Sequence, residues 1–248
     1  MTDNHAPLPT PLFHREAGSG PGVVCIHCNG SSSSQWRPLM DRLAPRHRVL
    51  APDTHGAGRG PAWPTDRPLT LRDEVALLEP VFARAGTPFA LVGHSYGAAV
   101  ALLAALQWPE RTARLVLVSG GTGGRSSFQP ARSEGVRAML DFYQSPNVAT
   151  MRRFLETVPF DISGLTDELV RTKLAAAMAR PAHLENFSTS FRDYPHQFGD
   201  VTSRLHEIQA PSLVIWGSED RVVPLDIGLQ LAIRIPEADL HVMGRCCH

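Results

Sequence analysis

The sequence predicts an α/β fold: a mostly parallel, doubly wound sheet with a helical cap inserted between two of its strands. Three observations lead there. Short apolar runs alternate with longer helical patterns along the chain. Most of those runs are almost continuously apolar, as expected of parallel strands covered on both faces. The alternation also stops once, for a long helix-only stretch, before a strand pattern returns.

The strands are read at 22–27, 47–51, 89–92, 114–118 and 212–216, with a weaker candidate at 239–243. Between them, Thr70 and Asp73 have the spacing of a capping box that opens a helix over 71–85, with Val75, Leu77, Leu78 and Val81 along it. A second, very apolar helix covers 98–108. Strand–helix–strand units with right-handed crossovers then give the doubly wound sheet. After Val118 the composition at 120–124 is that of a glycine-rich hinge. From about 130 to 206 only helical patterns follow, at 133–143, 148–157, 166–179 and near 182–191. The expected division is therefore a core from 1–121 and 207–248, and a helical cap from 122–206. In an open α/β sheet the ligand site lies beyond the carboxyl ends of the strands, where the cap would roof it.

Composition narrows the function. The chain has 248 residues, enough for one large domain or a core with an insertion. Its 24 Lys+Arg balance its 24 Asp+Glu, which argues against a nucleic-acid binder. No apolar stretch reaches the ~18 residues of a membrane span. Residues 1–10 are polar and proline-rich, unlike a signal peptide. The four cysteines, at 25, 28, 246 and 247, do not read as a disulfide framework, so a reduced, cytoplasmic protein is expected. Lys173 is the only lysine.

The chemistry begins with Gly-His-Ser-Tyr-Gly at 93–97, which follows a strand and opens a helix. This is the nucleophile elbow G-x-S-x-G in the context it requires. The turn is too tight for a Cβ at Gly93 or Gly97, and it lifts the Ser95 hydroxyl above the sheet. The amide of Tyr96 lies at the helix N-terminus, where developing negative charge is favoured. A serine needs a base, and the base an orienting acid. Asp220 stands in the loop after the strand at 212–216, with Glu219 as its adjacent rival. His248 stands five residues after the weak strand at 239–243 and suits the base. His94 flanks the nucleophile; the remaining histidines read as surface or loop residues. The loop after the first strand, His-Cys-Asn-Gly-Ser-Ser-Ser-Ser at 27–34, allows backbone approach to a carbonyl. Asn29 is the expected second oxyanion amide, with Cys28 and Gly30 as alternatives.

These motifs resemble the α/β-hydrolases over almost the whole chain. The second half has a narrower resemblance. Ser-Gly-Gly-Thr-Gly-Gly at 119–124, Glu-Gly-Val-Arg at 134–137, Leu-Thr-Asp-Glu-Leu at 165–169 and Arg-Pro-Ala-His-Leu-Glu-Asn-Phe at 180–187 carry it. So do Asp-Val-Thr-Ser-Arg-Leu at 200–205, Val-Pro-Leu-Asp at 223–226 and Leu-His-Val-Met-Gly-Arg-Cys at 240–246. They are similar to the meta-cleavage-product hydrolases, which cleave a carbon–carbon bond in vinylogous 1,5-diketones from ring fission. The resemblance implies ketonisation of a dienol, then hydrolysis through the Ser-His-Asp set.

The chain departs from that family in four places. His94 and Tyr96 flank the serine where the family has Asn and Met. The loop at 29–34 is serine-rich where the family's is rich in Gly and Pro, closer to esterase-like relatives. Lys173 aligns, without gaps, with a cap arginine that holds the substrate carboxylate; lysine keeps the charge but loses the bidentate fork. An aromatic residue normally follows the histidine. The resemblance further implies a C-terminal helix packed on the sheet, which this sequence lacks. A helix burying ~500 Å² of apolar surface is worth ~12 kcal/mol of gross burial. The expectation is a fragment of a longer product, or a sheet face covered by another subunit. A carboxylate beside His248 would also favour its imidazolium and weaken the base. Cys25 and Cys28, with Cys246 and Cys247, give no convincing metal set: Cys25 reads as a small strand hydrophobe and adjacent cysteines are poor joint ligands.

The reading is a serine hydrolase with Ser95, His248 and Asp220 as nucleophile, base and acid, and the amides of Tyr96 and Asn29 as oxyanion hole. Lys173, His94 and Gly30 are the candidate substrate contacts. No cofactor or metal is expected; the expected partner is a small-molecule substrate, with a homo-oligomer left open and neither nucleic acid nor membrane expected. A carboxylesterase, and a catalytically weak ligand-binding protein or fragment, are the alternatives.

Overall fold

The computed structural model describes residues 12–63, 69–120, 132–181, 183–184 and 201–248. Residues 1–10, almost all of the glycine-rich stretch at 120–124 and most of the helical pattern near 182–191 lie outside the described residues.

Among the described residues seven strands form one sheet in the order β1-β3-β2-β4-β5-β6-β7. They are β1 (His14–Ala17), β2 (Gly22–Ile26), β3 (Arg48–Pro52), β4 (Phe89–His94), β5 (Thr112–Val118), β6 (Ser212–Gly217) and β7 (Ala238–Met243). Only β1 runs antiparallel, against β3; every other described pairing is parallel. The helices are α1 (Arg37–Leu43), α2 (Leu71–Ala85), α3 (Tyr96–Gln107), α4 (Glu134–Gln144), α5 (Val148–Leu155), α6 (Asp167–Met178) and α7 (Leu225–Arg234). The chain moves from β2 outward to β3, then crosses back to β4 on the other side of β2. Strand order reverses there, and the crevice at the carboxyl ends of β2 and β4 is the place where such sheets bind ligands.

Side-chain alternation splits the core into two layers. Val24, Ile26, Leu50, Leu91, Leu115, Leu117, Val214 and Trp216 face α2, α3 and α7. Val23, Cys25, Val49, Ala51 and Val92 face the opposite way, against Met40 of α1 and Trp36 before it. α3 is buried from Tyr96 to Leu106, which explains why it is apolar all round rather than striped. By the same alternation Leu213 and Met243 lie on the α1 side, beyond the reach of α1, and are exposed.

Local chemistry sets the helix starts. Thr70 and Asp73 form the reciprocal capping box of α2. Ser133 caps α4 by accepting from the Val136 amide, and Thr166 caps α6 by accepting from that of Leu169. α4, α5 and α6 lie between β5 and β6 in the chain and share a second apolar cluster with Trp63 and Leu69, centred on Met139, Phe142, Tyr143, Met151 and Val170. This helical layer is moored to loops of the sheet. Gly135 donates its amide to Arg221 O at 2.8 Å, and Arg180 Nη1 donates to Gly56 O at 2.9 Å. Among the described residues no helix is long and apolar enough to cross a membrane.

The candidate active site

Each sequence-predicted catalytic group follows the carboxyl end of a parallel strand. Ser95 directly follows β4, at φ 52° and ψ −113°, a left-handed conformation that a residue with a Cβ adopts only under tertiary constraint. Two glycines make the constraint possible. A Cβ on Gly93 would sit 2.3 Å from Gly97 O, and a Cβ on Gly97 only 2.1 Å from Ile26 O. The turn is held by the Ser95 amide donating to Val118 O at 2.9 Å, while Ser95 O accepts from Ala98 at 3.0 Å. Tyr96 then begins α3, so its amide lies at the positive, N-terminal end of the helix dipole. The Tyr96 ring is buried, and its hydroxyl donates to Glu74 Oε1 at 2.9 Å. Glu74 is fully buried and is also paired with His55 Nδ1 at 3.0 Å.

Asp220 lies in the loop after β6, and His248 follows β7. Their side chains meet, with His248 Nδ1 at 2.9 Å from Asp220 Oδ2. The Asp220 carboxylate is wholly shielded from solvent. Its other oxygen accepts the amides of Val222 and Val223, both at 2.8 Å. Glu219, the rival, is exposed, and among the described residues its carboxylate accepts from Ser218 Oγ at 3.3 Å. With Nδ1 engaged by Asp220, Nε2 is the His248 nitrogen left for a reacting group. Ser95 Oγ makes no hydrogen bond to it among the described residues; such contacts are often long without a substrate and tighten in the complex.

The loop after β2 brings three more predicted residues to the same end of the sheet. The Cys28 amide is committed to Gln35 Oε1 at 3.2 Å, which removes it from the oxyanion alternatives. Asn29 donates its side-chain amide to the Tyr143 hydroxyl at 3.0 Å, a contact from α4 that the sequence reading missed. Gly30 is exposed at φ 71°. Burial pushes the Cys28 thiol up to about 11, against the opposing pull of the Lys173 charge. Lys173 itself is exposed on α6.

Two of the histidines read as surface or loop residues, His27 and His183, lie deeper than the sequence suggested, and His94 beside the nucleophile is half-buried. His94 is held near pKa 4 by burial and then by the neighbouring His248. His183 is also lowered to about 4, by burial and the charge of Arg180. His27 was expected in a loop and is buried instead: Nδ1 donates to Cys28 O at 2.8 Å and Nε2 accepts the Thr54 amide at 3.2 Å. Burial lowers it as well. The consequence for stability has a definite sign. A histidine kept neutral by the fold binds a proton more readily when unfolded, so its contribution is present above the unfolded pKa of about 6.5 and is lost as pH falls toward 4. The urea midpoint is therefore expected to fall between about pH 6.5 and pH 4; a flat midpoint over that window would show these rings to be solvated. Among the described residues no group of three or more His, Cys, Asp or Glu is placed to hold a metal ion.

The model of the alpha/beta hydrolase family matches residues 23–246. The chain belongs to that family. Its fold is the family's, a mostly parallel seven-stranded sheet flanked by helices, and it is a hydrolase. This hydrolase is 39% identical over 244 residues to a 2-hydroxy-6-oxononadienedioate/2-hydroxy-6-oxononatrienedioate hydrolase of Paraburkholderia phymatum, covering 96% of this chain and 84% of the relative. It is 37% identical over 237 residues to a 2-hydroxy-6-oxo-6-phenylhexa-2,4-dienoate hydrolase of Burkholderia cepacia, covering 94% and 83%. Among solved structures it is similar to a meta-cleavage product hydrolase from Pseudomonas fluorescens IP01, with a TM-score of 0.82 at 29% identity over 95% of this chain and 86% of that one.

Proposed function

We propose that this hydrolase cleaves a carbon–carbon bond in a ring-fission acid of the 2-hydroxy-6-oxo-dienoate class, through Ser95, His248 and Asp220. The observation that carries the reading is the 2.9 Å contact between His248 Nδ1 and the buried Asp220 carboxylate, at the same end of the sheet as the constrained Ser95 turn. The names of the relatives supply the substrate class.

The chemistry follows from this arrangement. The dienol first gives up the proton of its 2-hydroxyl and takes one up at carbon 5, which gives the keto form. That form places an electron-accepting carbonyl in conjugation with the carbon that must leave. His248 Nε2 removes the Ser95 proton as Oγ attacks the 6-oxo carbon, and Asp220 stabilises the imidazolium through Nδ1–H. The carbonyl electron pair moves to oxygen, where the amides of Tyr96 and Asn29 receive the negative charge. The tetrahedral centre then collapses. The carbon–carbon bond breaks, its electron pair passes into the conjugated keto acid, and His248 returns the proton to the leaving fragment. Water, activated by His248, hydrolyses the Ser95 ester to release the second acid. No bound metal or cofactor is needed for any of these steps.

Every member of this substrate class carries a carboxylate at carbon 1, and Lys173, the only lysine in the sequence and a residue of α6, is its candidate partner. A charge-assisted contact of this kind is worth about 1.5–3 kcal/mol, roughly ten- to a hundredfold in kcat/KM. Lys173→Met is expected to lose that factor on a ring-fission acid and to spare a neutral ester, while Lys173→Arg retains or improves the acid activity. Steady-state kinetics on 2-hydroxy-6-oxononadienedioate and on a nitrophenyl ester test both the site and the function. Rapid ester hydrolysis with no turnover of the dienol acid would make the protein a carboxylesterase. Equal kinetics for wild type and Lys173→Met on the acid would return Lys173 to a solvated helix face.

A further inference from the structure

One chain of hydrogen bonds in the site has no part in the chemistry above. The Cys28 amide donates to Gln35 Oε1 at 3.2 Å. That end of the carboxamide is therefore the oxygen, and the other end is the NH₂ donor. Gln35 Nε2 lies 2.9 Å from His94 Nδ1, which must accept. A neutral imidazole that accepts at Nδ1 carries its proton on Nε2. His94 Nε2 lies 3.0 Å from the backbone oxygen of His248, to which it donates. Donor chemistry thus fixes every direction along the chain.

The two ends of the chain are the points of interest. One is the residue before Asn29, whose amide the mechanism uses for the oxyanion. The other is the backbone of the general base. Between them stands His94, the residue before the nucleophile. We propose that His94 is a positioning residue: with Gln35 it ties the oxyanion loop and His248 into one frame around Ser95. This rests on the assignment of Ser95, His248 and Asp220 as the reacting set.

The frame answers a mechanical need. Asp220 holds the His248 ring at one atom, and Cys246 and Cys247 before it are tied to Glu219, but neither contact is made at the backbone oxygen of His248 itself. A misplacement of about 1 Å in a reacting group costs on the order of a hundredfold in rate. Holding the His248 backbone and the Cys28 amide from one rigid strand end guards against such a misplacement. The frame also requires a neutral His94, because a second cation would oppose the imidazolium that forms on His248, whose ring centroid is 5.1 Å away. Burial and the His248 charge keep His94 neutral, against the opposing influence of the His248 backbone oxygen it bonds and, after that, of Asp220.

The test cuts the chain at two places. His94→Phe removes both of its bonds while keeping a ring, and Gln35→Leu removes the link to the loop. Each variant and the double variant are measured for kcat and KM on the dienol acid and for the rate of fluorophosphonate labelling, with urea unfolding as the check on folding. Each single change is expected to lower kcat and the labelling rate by about 30- to 100-fold, with KM within about threefold. The double variant is expected within about threefold of the worse single, because both cut the same chain. Losses that multiply, losses confined to KM, or singles within threefold of wild type overturn the proposal. If His94→Phe does not fold, Gln35→Leu alone is held to the same kcat and labelling limits. Ser95→Ala runs alongside: labelling that persists there sinks the assignment of the reacting set, whereas labelling lost there but unchanged in the two variants sinks the frame alone.

Discussion

Replacing Ser95 with alanine is expected to lower kcat on the ring-fission acid by roughly 10⁶-fold and to abolish fluorophosphonate labelling, with the fold intact. The size of the effect follows from the position of the hydroxyl. It is the one group at the elbow that can form the covalent intermediate, and without it the steps that depend on the Ser95 ester have no route. A residual rate above that in water is expected, because the proposed oxyanion amides of Tyr96 and Asn29 would still polarise the carbonyl. Stability is expected to stay within about 0.5 kcal/mol of wild type, since alanine is subject to the same φ constraint of 52° and Ser95 Oγ has no hydrogen bond to lose among the described residues. Urea unfolding and labelling on the same preparation separate the two effects. Labelling that survives in Ser95→Ala would place the nucleophile elsewhere.

What the sequence discloses about this protein depends on distance along the chain. The elbow is legible because its strand, turn and helix are contiguous at 89–107, so its glycines and its serine are read together. Asp220 is legible for a similar reason, lying three residues beyond the last residue of an apolar strand. β1 and α1 were not expected. His-Arg-Glu-Ala is too short and too polar to show a strand period, and it is organised by pairing with β3 rather than by its own pattern. The third strand sits one residue later than its apolar run suggests, at Arg48–Pro52, with Pro52 at its end. Side chains that meet across the fold leave no local mark. Gln35 meets His94 across 59 residues and Asn29 meets Tyr143 across 114. His27 misled for a related reason: a polar residue after a strand reads as a loop, whereas its ring is satisfied by Cys28 O and the Thr54 amide and needs no solvent.

Asp220→Asn is expected to cost about 10⁴-fold in kcat, the second-largest effect. The reason is visible in how the carboxylate is held. Oδ1 accepts the amides of Val222 and Val223, both at 2.8 Å, and an asparagine must keep an oxygen there or leave two N–H groups facing a third. Its NH₂ group is then turned toward His248 Nδ1, 2.9 Å away in the wild type. A donor at that point requires Nδ1 to accept, which moves the imidazole proton to Nε2. The base would then present a proton to Ser95 where it must present a lone pair, and no carboxylate would stabilise the imidazolium. The loop keeps its two amide bonds, so urea unfolding should change far less than kcat does. Glu219→Gln, one residue away and exposed, is expected to stay within about threefold of wild type, because the change leaves its backbone bonds to Cys246 and Cys247 in place and alters only a solvated carboxylate whose side-chain contact among the described residues is with Ser218. Steady-state kinetics and labelling rates on the two variants, side by side, decide the matter. A mild Asp220→Asn beside a crippled Glu219→Gln would mean that the buried pair with His248 is structural and that the orienting acid is the exposed neighbour.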